Sequence, residues 1–489
     1  MSPEDDSERA SQRALASEER NERGGEAIST AIRMSTAGGT WPQSPDLRGW
    51  LTLLGQRGEL RRVTLEIDPD QQVASVLEHA DGRYAVEFEN VRGAAFPLVG
   101  NTIPARHHFS LALGCPEAEI VDRLTDAVAR PQPYALVDAA NAPVLARRHA
   151  GDDLLGDLPI PVQHELDAGR YLTSALVVVR DPRSGKANLS INRLQATGPR
   201  EVRALMLPGR LRAIFAEHEK RGEDLPVALC VGVDPLLTLA SQSPASAELD
   251  DLEVASALHP RPLEVVSVGG VAVPVPARAE MMLTGKFRAG IRAPEGPFGE
   301  YPLTYGPSGP APVLELSERW SRPDPVLQTI LSGGREHFWL GGLPREGRLL
   351  RALRAAGVDV AAVRLTEGGS CRMHAVIAVR SPNPGTARHA AMVAFTSVVT
   401  VKLAVIVDDD VDVFDDEQIE WAVATRMQAD RDLFVVPRTV GSSLDPSSEQ
   451  GTSAKLGIDA TVPPGERDRF ARIRSQPAAP DAYLTELER

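Results

Sequence analysis

The stretch Asp181-Pro182-Arg183-Ser184-Gly185-Lys186-Ala187-Asn188-Leu189-Ser190-Ile191-Asn192-Arg193 reads as a turn and the strand that leaves it. Asp-Pro followed by Gly is turn chemistry: proline presets φ, aspartate accepts bonds from the residues after it, and glycine adopts shapes other residues resist. Residues 188–193 then alternate. On a strand Asn188, Ser190 and Asn192 share one face, and Leu189, Ile191 and Arg193 share the other. Arginine on an apolar face either sits at the strand's edge or is buried against an anionic partner. Outward from this hairpin, residues 172–179, 227–233, 263–268 and 271–275 are short apolar or alternating runs separated by Gly, Pro and Asp clusters. Helical patterning is confined to about 200–221. The middle third therefore predicts a β-rich domain. Many short strands whose edges need closing favour a barrel.

On either side the texture is mixed. Leu47, Trp50, Leu51 and Leu54 repeat at helical spacing, and residues 62–67 and 84–88 alternate as strands do. Beyond the Pro/Gly-rich stretch 302–312, Leu349, Leu350 and Leu353 mark a helix over 346–356. Strand-like runs follow at 358–365, 374–379 and 403–407, which predicts a further α/β domain. From residue 446 the periodicity fades into a tail. Residues 1–44 are charged, polar and poor in aromatics, the composition of a disordered extension.

The chain has 489 residues, 53 basic and 67 acidic, for a formal charge of −14. An acidic balance argues against nucleic acid and against a polybasic membrane anchor. No apolar run is long enough for a membrane span, and the N-terminus lacks the apolar core of a secretory signal. The three cysteines lie far apart without a CxxC pair, so a reducing, cytoplasmic setting is expected. P-loop, HExxH, GxSxG and GxGxxG signatures are all missing.

Four further constellations carry polar chemistry. Pro294-Glu295-Gly296-Pro297-Phe298-Gly299-Glu300-Tyr301 sets two carboxylates in a loop shaped by two glycines and a proline. Brought close, such carboxylates repel and one keeps its proton, as a general acid must; left in water, they are two surface acids. Glu264 enters an apolar strand, either paired or metal-bound inside or facing water at an edge. The acids Asp408, Asp409, Asp410, Asp412, Asp415, Asp416 and Glu417 precede a helix and cap it rather than forming an EF-hand. Lys402, beside an apolar run, either snorkels or meets a phosphate.

Together these pieces resemble the UbiD family of decarboxylases, which use prenylated flavin mononucleotide. The resemblance covers about residues 47–461. It rests on Leu158-Pro159-Ile160-Pro161, Asp167-Ala168-Gly169-Arg170-Tyr171, Asp181-Pro182, the run Asn188 to Gln195, the run Pro294 to Tyr301, the run Lys402 to Asp412, the run Trp421 to Arg426 and the run Lys455 to Thr461. Their order and joint presence are what is specific.

The resemblance implies an α+β, multidomain fold. An N-terminal α/β domain (45–150) and a central split β-barrel for prenyl-FMN (151–315) would follow the extension. A C-terminal α/β dimerisation domain (316–445) and a tail (446–489) would complete the chain. It implies Arg193, Glu295 and Glu300 as catalytic residues, and Asn188, Ser190, Ile191, Asn192, Arg193, Arg210, Glu264 and Lys402 as cofactor-binding. Asn188 and Glu264 would hold a divalent metal, manganese or magnesium, with potassium or sodium as an accompanying option. Where well-known members place a third, histidine ligand, this chain has Arg210, which cannot ligate a metal. Glu295 is expected nearest Arg193 and ionised. Glu300, repelled by Glu295 and desolvated, is expected to hold the proton. The implied activity is reversible, non-oxidative decarboxylation of an α,β-unsaturated or aromatic carboxylic acid by a cytoplasmic homodimer or higher homo-oligomer, with no membrane or nucleic-acid partner and with a separate prenyltransferase supplying the cofactor. A tailoring step in a biosynthetic pathway suits this composition, and a catabolic or ubiquinone-type decarboxylase suits it nearly as well. An ordinary FMN-dependent oxidoreductase and a non-catalytic assembly subunit are the competing readings. Retention of Arg193, Glu295 and Glu300 together argues against the latter.

Overall fold

The computed structural model describes residues 45–243, 247–380 and 382–473. The expected extension 1–44 and the end of the expected tail lie outside them. The centre is a nine-stranded antiparallel sheet. Its strands run in the order Tyr171–Leu172, Leu194–Ala196, Glu201–Ala204, Gly309–Ser321, Met281–Glu295, Leu225–Val231, Leu176–Arg180 and Ala187–Ile191, with Arg147–Arg148 also beside Gly309–Ser321. The long pair Met281–Glu295 and Gly309–Ser321 breaks register between Thr284 and Gly285 and again between Phe287 and Arg292. Such irregularities bend a sheet, and this one curls as a half-barrel without pairing its two end strands. The expected barrel is thus met as a curled, open sheet.

The hairpin 181–193 forms as its sequence predicts, with Val179 paired to Asn188. Its strand stops at Ile191, two residues short of Arg193. The helix expected over 200–221 is a strand, Glu201–Ala204, and then a helix, Arg210–Lys220. Leu207-Pro208-Gly209 separates them, because proline and glycine both resist a continuing helix.

A four-stranded sheet flanks the centre on the N-terminal side, and Leu327–Gln328 joins it by pairing with Leu98–Gly100. On the C-terminal side stands a five-stranded sheet. Its order is Val360–Leu365, His374–Val379, Leu403–Asp408, Thr452–Ala460 and Leu433–Val440. The expectation of an aperiodic tail from residue 446 is corrected here: Leu456 pairs with Leu403 on one side and Val435 on the other. Ser453, Lys455 and Gly457 hide this strand's pattern. Lys455 is buried, and its Nζ donates to the carbonyls of Phe395 at 3.0 Å and Val399 at 2.8 Å. It thereby satisfies carbonyls at the end of the helix Thr386–Ser397, while burial pulls its own pKa down to about 8. One continuous core includes Trp50 and Phe109, Leu176 and Leu189, and Phe338 and Ile377, so all three parts of the chain share it. Among the described residues no helix is long and apolar enough to cross a membrane.

Truncation after residue 445 removes a strand that is hydrogen-bonded on both sides. We expect the truncated chain to lose its cooperative thermal transition in circular dichroism. An unchanged transition would contradict the strand's internal position.

Candidate active site

A cavity of about 1190 Å³ opens between the curled sheet and the C-terminal part. At its centre Arg193 follows the strand Ala187–Ile191 and is buried. Its Nη1 donates to Glu300 Oε1 at 2.7 Å and its Nη2 to Glu295 Oε2 at 2.8 Å. Its guanidinium lies 5.5 Å from the Phe298 ring centroid, and Phe298 packs against Tyr171. The sequence brings both carboxylates to one guanidinium by folding the loop sharply. Glu295 ends the strand Met281–Glu295, and Gly296 then takes φ +81°, a left-handed conformation that favours glycine. Phe298–Gly299 pairs with Tyr305–Gly306, and the Glu300 N–H donates to the Thr304 carbonyl at 2.9 Å.

Arg193 is therefore shared evenly, rather than lying nearer Glu295 as the resemblance implies. The Glu300 carboxyl is held above the usual carboxylate range as expected, but the cause is burial, which outweighs the attraction of Arg193 and Arg372. Repulsion by Glu295 is not among the main causes.

At another part of the wall lies a cationic group that sequence reasoning missed. The helix Arg335–Ala355 begins far upstream of the expected 346–356, because Gly341, Gly342 and Pro344 disguise its first half. His337, Arg345, Arg348 and Arg351 from this helix line the cavity, with Arg372 beside them. Arg372 lies directly over Gly341: a Cβ there would run into its guanidinium. It follows Ser370 and Cys371, both at positive φ, and its guanidinium stands 4.5 Å from the Tyr301 ring centroid. Arg345 donates to the Gly341 carbonyl. Neither Arg345 nor Arg372 forms an ion pair among the described residues. Burial and the neighbouring Arg372 charge pull Arg345 down to about 9. Burial likewise lowers Arg372, and it pulls His337 down to about 3. A signal was present in Arg345, Arg348 and Arg351, a basic stripe at helical spacing.

Of the residues expected at the cofactor, Asn188, Ser190, Ile191, Asn192, Arg193 and Arg210 line this cavity. Two do not. Glu264 pairs with Arg278 at 2.6 Å and faces a different cavity, so the expected Asn188–Glu264 metal pair is not brought together. The carboxylate beside Asn188 is Asp251, which Asn188 Nδ2 meets at 2.9 Å. Burial pushes Asp251 up to about 6, against the attraction of Arg210. Lys402 is also outside the cavity lining. It binds Asp445 at 2.8 Å and Ser447, so its charge is spent on anchoring the loop 441–451. That loop lines the cavity through Gly441, Ser442, Ser443 and Leu444, and Ser442 Oγ accepts from the Tyr301 hydroxyl at 2.6 Å.

The donors fit a flavin better than a divalent ion. Asn188 Oδ1, Arg193 Nε and Arg210 Nε are buried without hydrogen-bond partners, leaving polar atoms for a ligand's hydroxyls and phosphate. Among the described residues, the one grouping of three carboxylate, imidazole or thiolate ligands is Glu59 with His107 and His108, none of which lines this cavity.

Comparison with known proteins yields three consecutive family matches. Residues 51–128, 135–335 and 338–460 match the N-terminal, Rift-related and C-terminal domains of 3-octaprenyl-4-hydroxybenzoate carboxy-lyase. Anhydromevalonate phosphate decarboxylase of Methanothermobacter thermautotrophicus is 34% identical over 429 residues, covering 87% of this chain and 99% of its own. The UbiD-class enzyme HmfF from Pelotomaculum thermopropionicum, solved with FMN, is 46% identical with a TM-score of 0.87, covering 90% of this chain and 99% of its own. An evolved dimeric form of HmfF, solved with prFMN, is 42% identical with a TM-score of 0.83, covering 90% and 98%.

A Cβ on Gly306 would lie 2.8 Å from Arg193 Nη1 and 3.0 Å from Glu300 Cγ. We expect Gly306→Ala to cost about 1–3 kcal/mol of stability, the usual range for overpacking, as read by denaturant unfolding. No measurable change would mean that the loop yields freely and the fork is not rigid.

Proposed function

The chain belongs to the UbiD family of carboxy-lyases, and from that premise we propose that it reversibly decarboxylates an α,β-unsaturated or aromatic acid bearing a second anionic group. No net oxidation is involved. The single observation that carries the substrate reading is the uncompensated arginine pair. Arg193 already has two carboxylates, whereas Arg345 and Arg372 have none and are disfavoured as charges by burial. Cations held in that state are stabilised by an incoming anion, and a carboxylate matches the planar fork of arginine.

The cofactor in this reading is prenylated FMN, loaded by a separate prenyltransferase and held by the Asn188–Arg193 segment and Arg210. When bound, it supplies the electron sink for the carbon that loses CO2. The residues of the chain do the rest. Arg193 orients the reacting carboxylate or the cofactor, and Glu295 keeps it charged. Glu300 holds a proton on its carboxyl group and delivers it to carbon. Arg345 and Arg372 hold the second anion, which fixes the reacting carbon relative to Glu300. Phe298, Ile330 and Leu340 exclude water from the same cavity. The functional unit in this reading is a homodimer built through the C-terminal sheet, where Val435 and Val440 of an outer strand are exposed.

Glu300→Gln should lower turnover by about 10²–10⁴-fold with flavin still bound, and Glu300→Asp should retain part of the rate. Because the Glu300 carboxyl is held above its ordinary range, wild-type turnover should fall as pH rises through that raised value. The substrate claim has its own test. Arg345→Met should raise KM for an aromatic dicarboxylate by roughly 10–100-fold, the worth of a charged hydrogen bond, and leave the matching monoacid unaffected. Equal handling of the two acids by both proteins would contradict the second-anion reading.

A further inference from the structure

The flavin reading above needs positive charge near a buried phosphate, and we propose that this charge is the Arg210 guanidinium rather than a divalent ion. Asp251, the carboxylate that Asn188 bonds, has both oxygens engaged. Its Oδ1 accepts from Arg210 Nη1 at 3.0 Å, and its Oδ2 accepts from Asn188 Nδ2 at 2.9 Å and the Leu189 N–H at 2.8 Å. An ion at Oδ1 would meet a cation already in place. Oxygen-ligated divalent ions need several free acceptors, and arginine offers none. No grouping of three carboxylate, imidazole or thiolate ligands forms there among the described residues.

Arg210 is held firmly in this position. Its Nη2 donates to the carbonyls of Leu249 at 3.0 Å and Ala247 at 3.3 Å, and its Nε lies 3.9 Å from Asp181 Oδ2. Three hydrogen bonds fix the guanidinium at the cavity wall. The Nε–H is buried and has no hydrogen-bond partner, so a charged donor is held in reserve. The helix Arg210–Lys220 also starts here, with no side chain capping its first turn, so backbone N–H groups add to the same positive pole. Phosphate is the group in FMN that matches such donors. Asn188 Oδ1, an acceptor, then remains for a hydroxyl of the same ligand.

FMN itself is the probe for the test. The full-length protein is loaded with FMN and dialysed against EDTA, with metal read by mass spectrometry and FMN affinity by fluorescence. We expect no stoichiometric metal, and the same FMN affinity in EDTA as in excess MnCl2. Arg210→Ala should weaken FMN binding by roughly tenfold or more, the loss of a charged hydrogen bond, and Arg210→Lys should recover part of it. One manganese per chain with FMN released by EDTA would overturn the inference while leaving the flavin reading intact. That arm uses the unmodified protein, so it stands even if a variant fails to fold. FMN that binds under no condition would overturn both.

Discussion

Arg193 is buried, and two carboxylates compensate the charge of its guanidinium. Glu295 and Glu300 supply them, at 2.8 Å and 2.7 Å, from a single loop. Much of the local architecture follows from that requirement. The strand Ala187–Ile191 ends two residues before Arg193, and Gly296 turns the loop back on itself. Gly306 must lack a side chain because Arg193 and Glu300 occupy the space a Cβ would need. Removing one member of such a buried group strands the others, which is why the three residues act as a unit.

The cavity is electrostatically divided. On one side two carboxylates share one guanidinium, and one of them, Glu300, is pushed toward its protonated form by burial. On the other, Arg345 and Arg372 face the cavity with like charges close together. Arg372 bridges the two, since it stacks near Tyr301 and its charge also acts on Glu300. A ligand anion between the arginines would therefore also reduce their pull on Glu300. Charge at one end of the cavity and proton retention at the other are coupled through a single side chain.

The hairpin 181–193 is legible in the sequence because turn chemistry and alternation agree with one another. The loop 294–301 announces its shape through glycine and proline, but only the family resemblance joins its two acids to Arg193. Glu264 is misassigned because a carboxylate at the head of an apolar strand looks the same whether it faces a metal ion or Arg278. Asp251 is overlooked because Asp250-Asp251 reads as an ordinary helix start, and Asp250 does cap the helix Asp251–Leu258. Arg372 cannot be found from sequence. Its position depends on Gly341, on a distant helix whose glycines and proline obscure its own periodicity. The strand Thr452–Ala460 escapes notice because its small and charged residues are buried by neighbours that the local pattern does not contain.

The role of Glu300 is tested most directly by following the carbon-bound hydrogen of the product in D2O. With the flavin-loaded protein, we expect the wild type to exchange hydrogen for deuterium at the carbon that bore the carboxylate. Glu300→Gln, with its flavin still bound, should leave that hydrogen untouched. Exchange by Glu300→Gln at the wild-type rate would mean that the proton comes from elsewhere, and the division of labour among Arg193, Glu295 and Glu300 would fall with it.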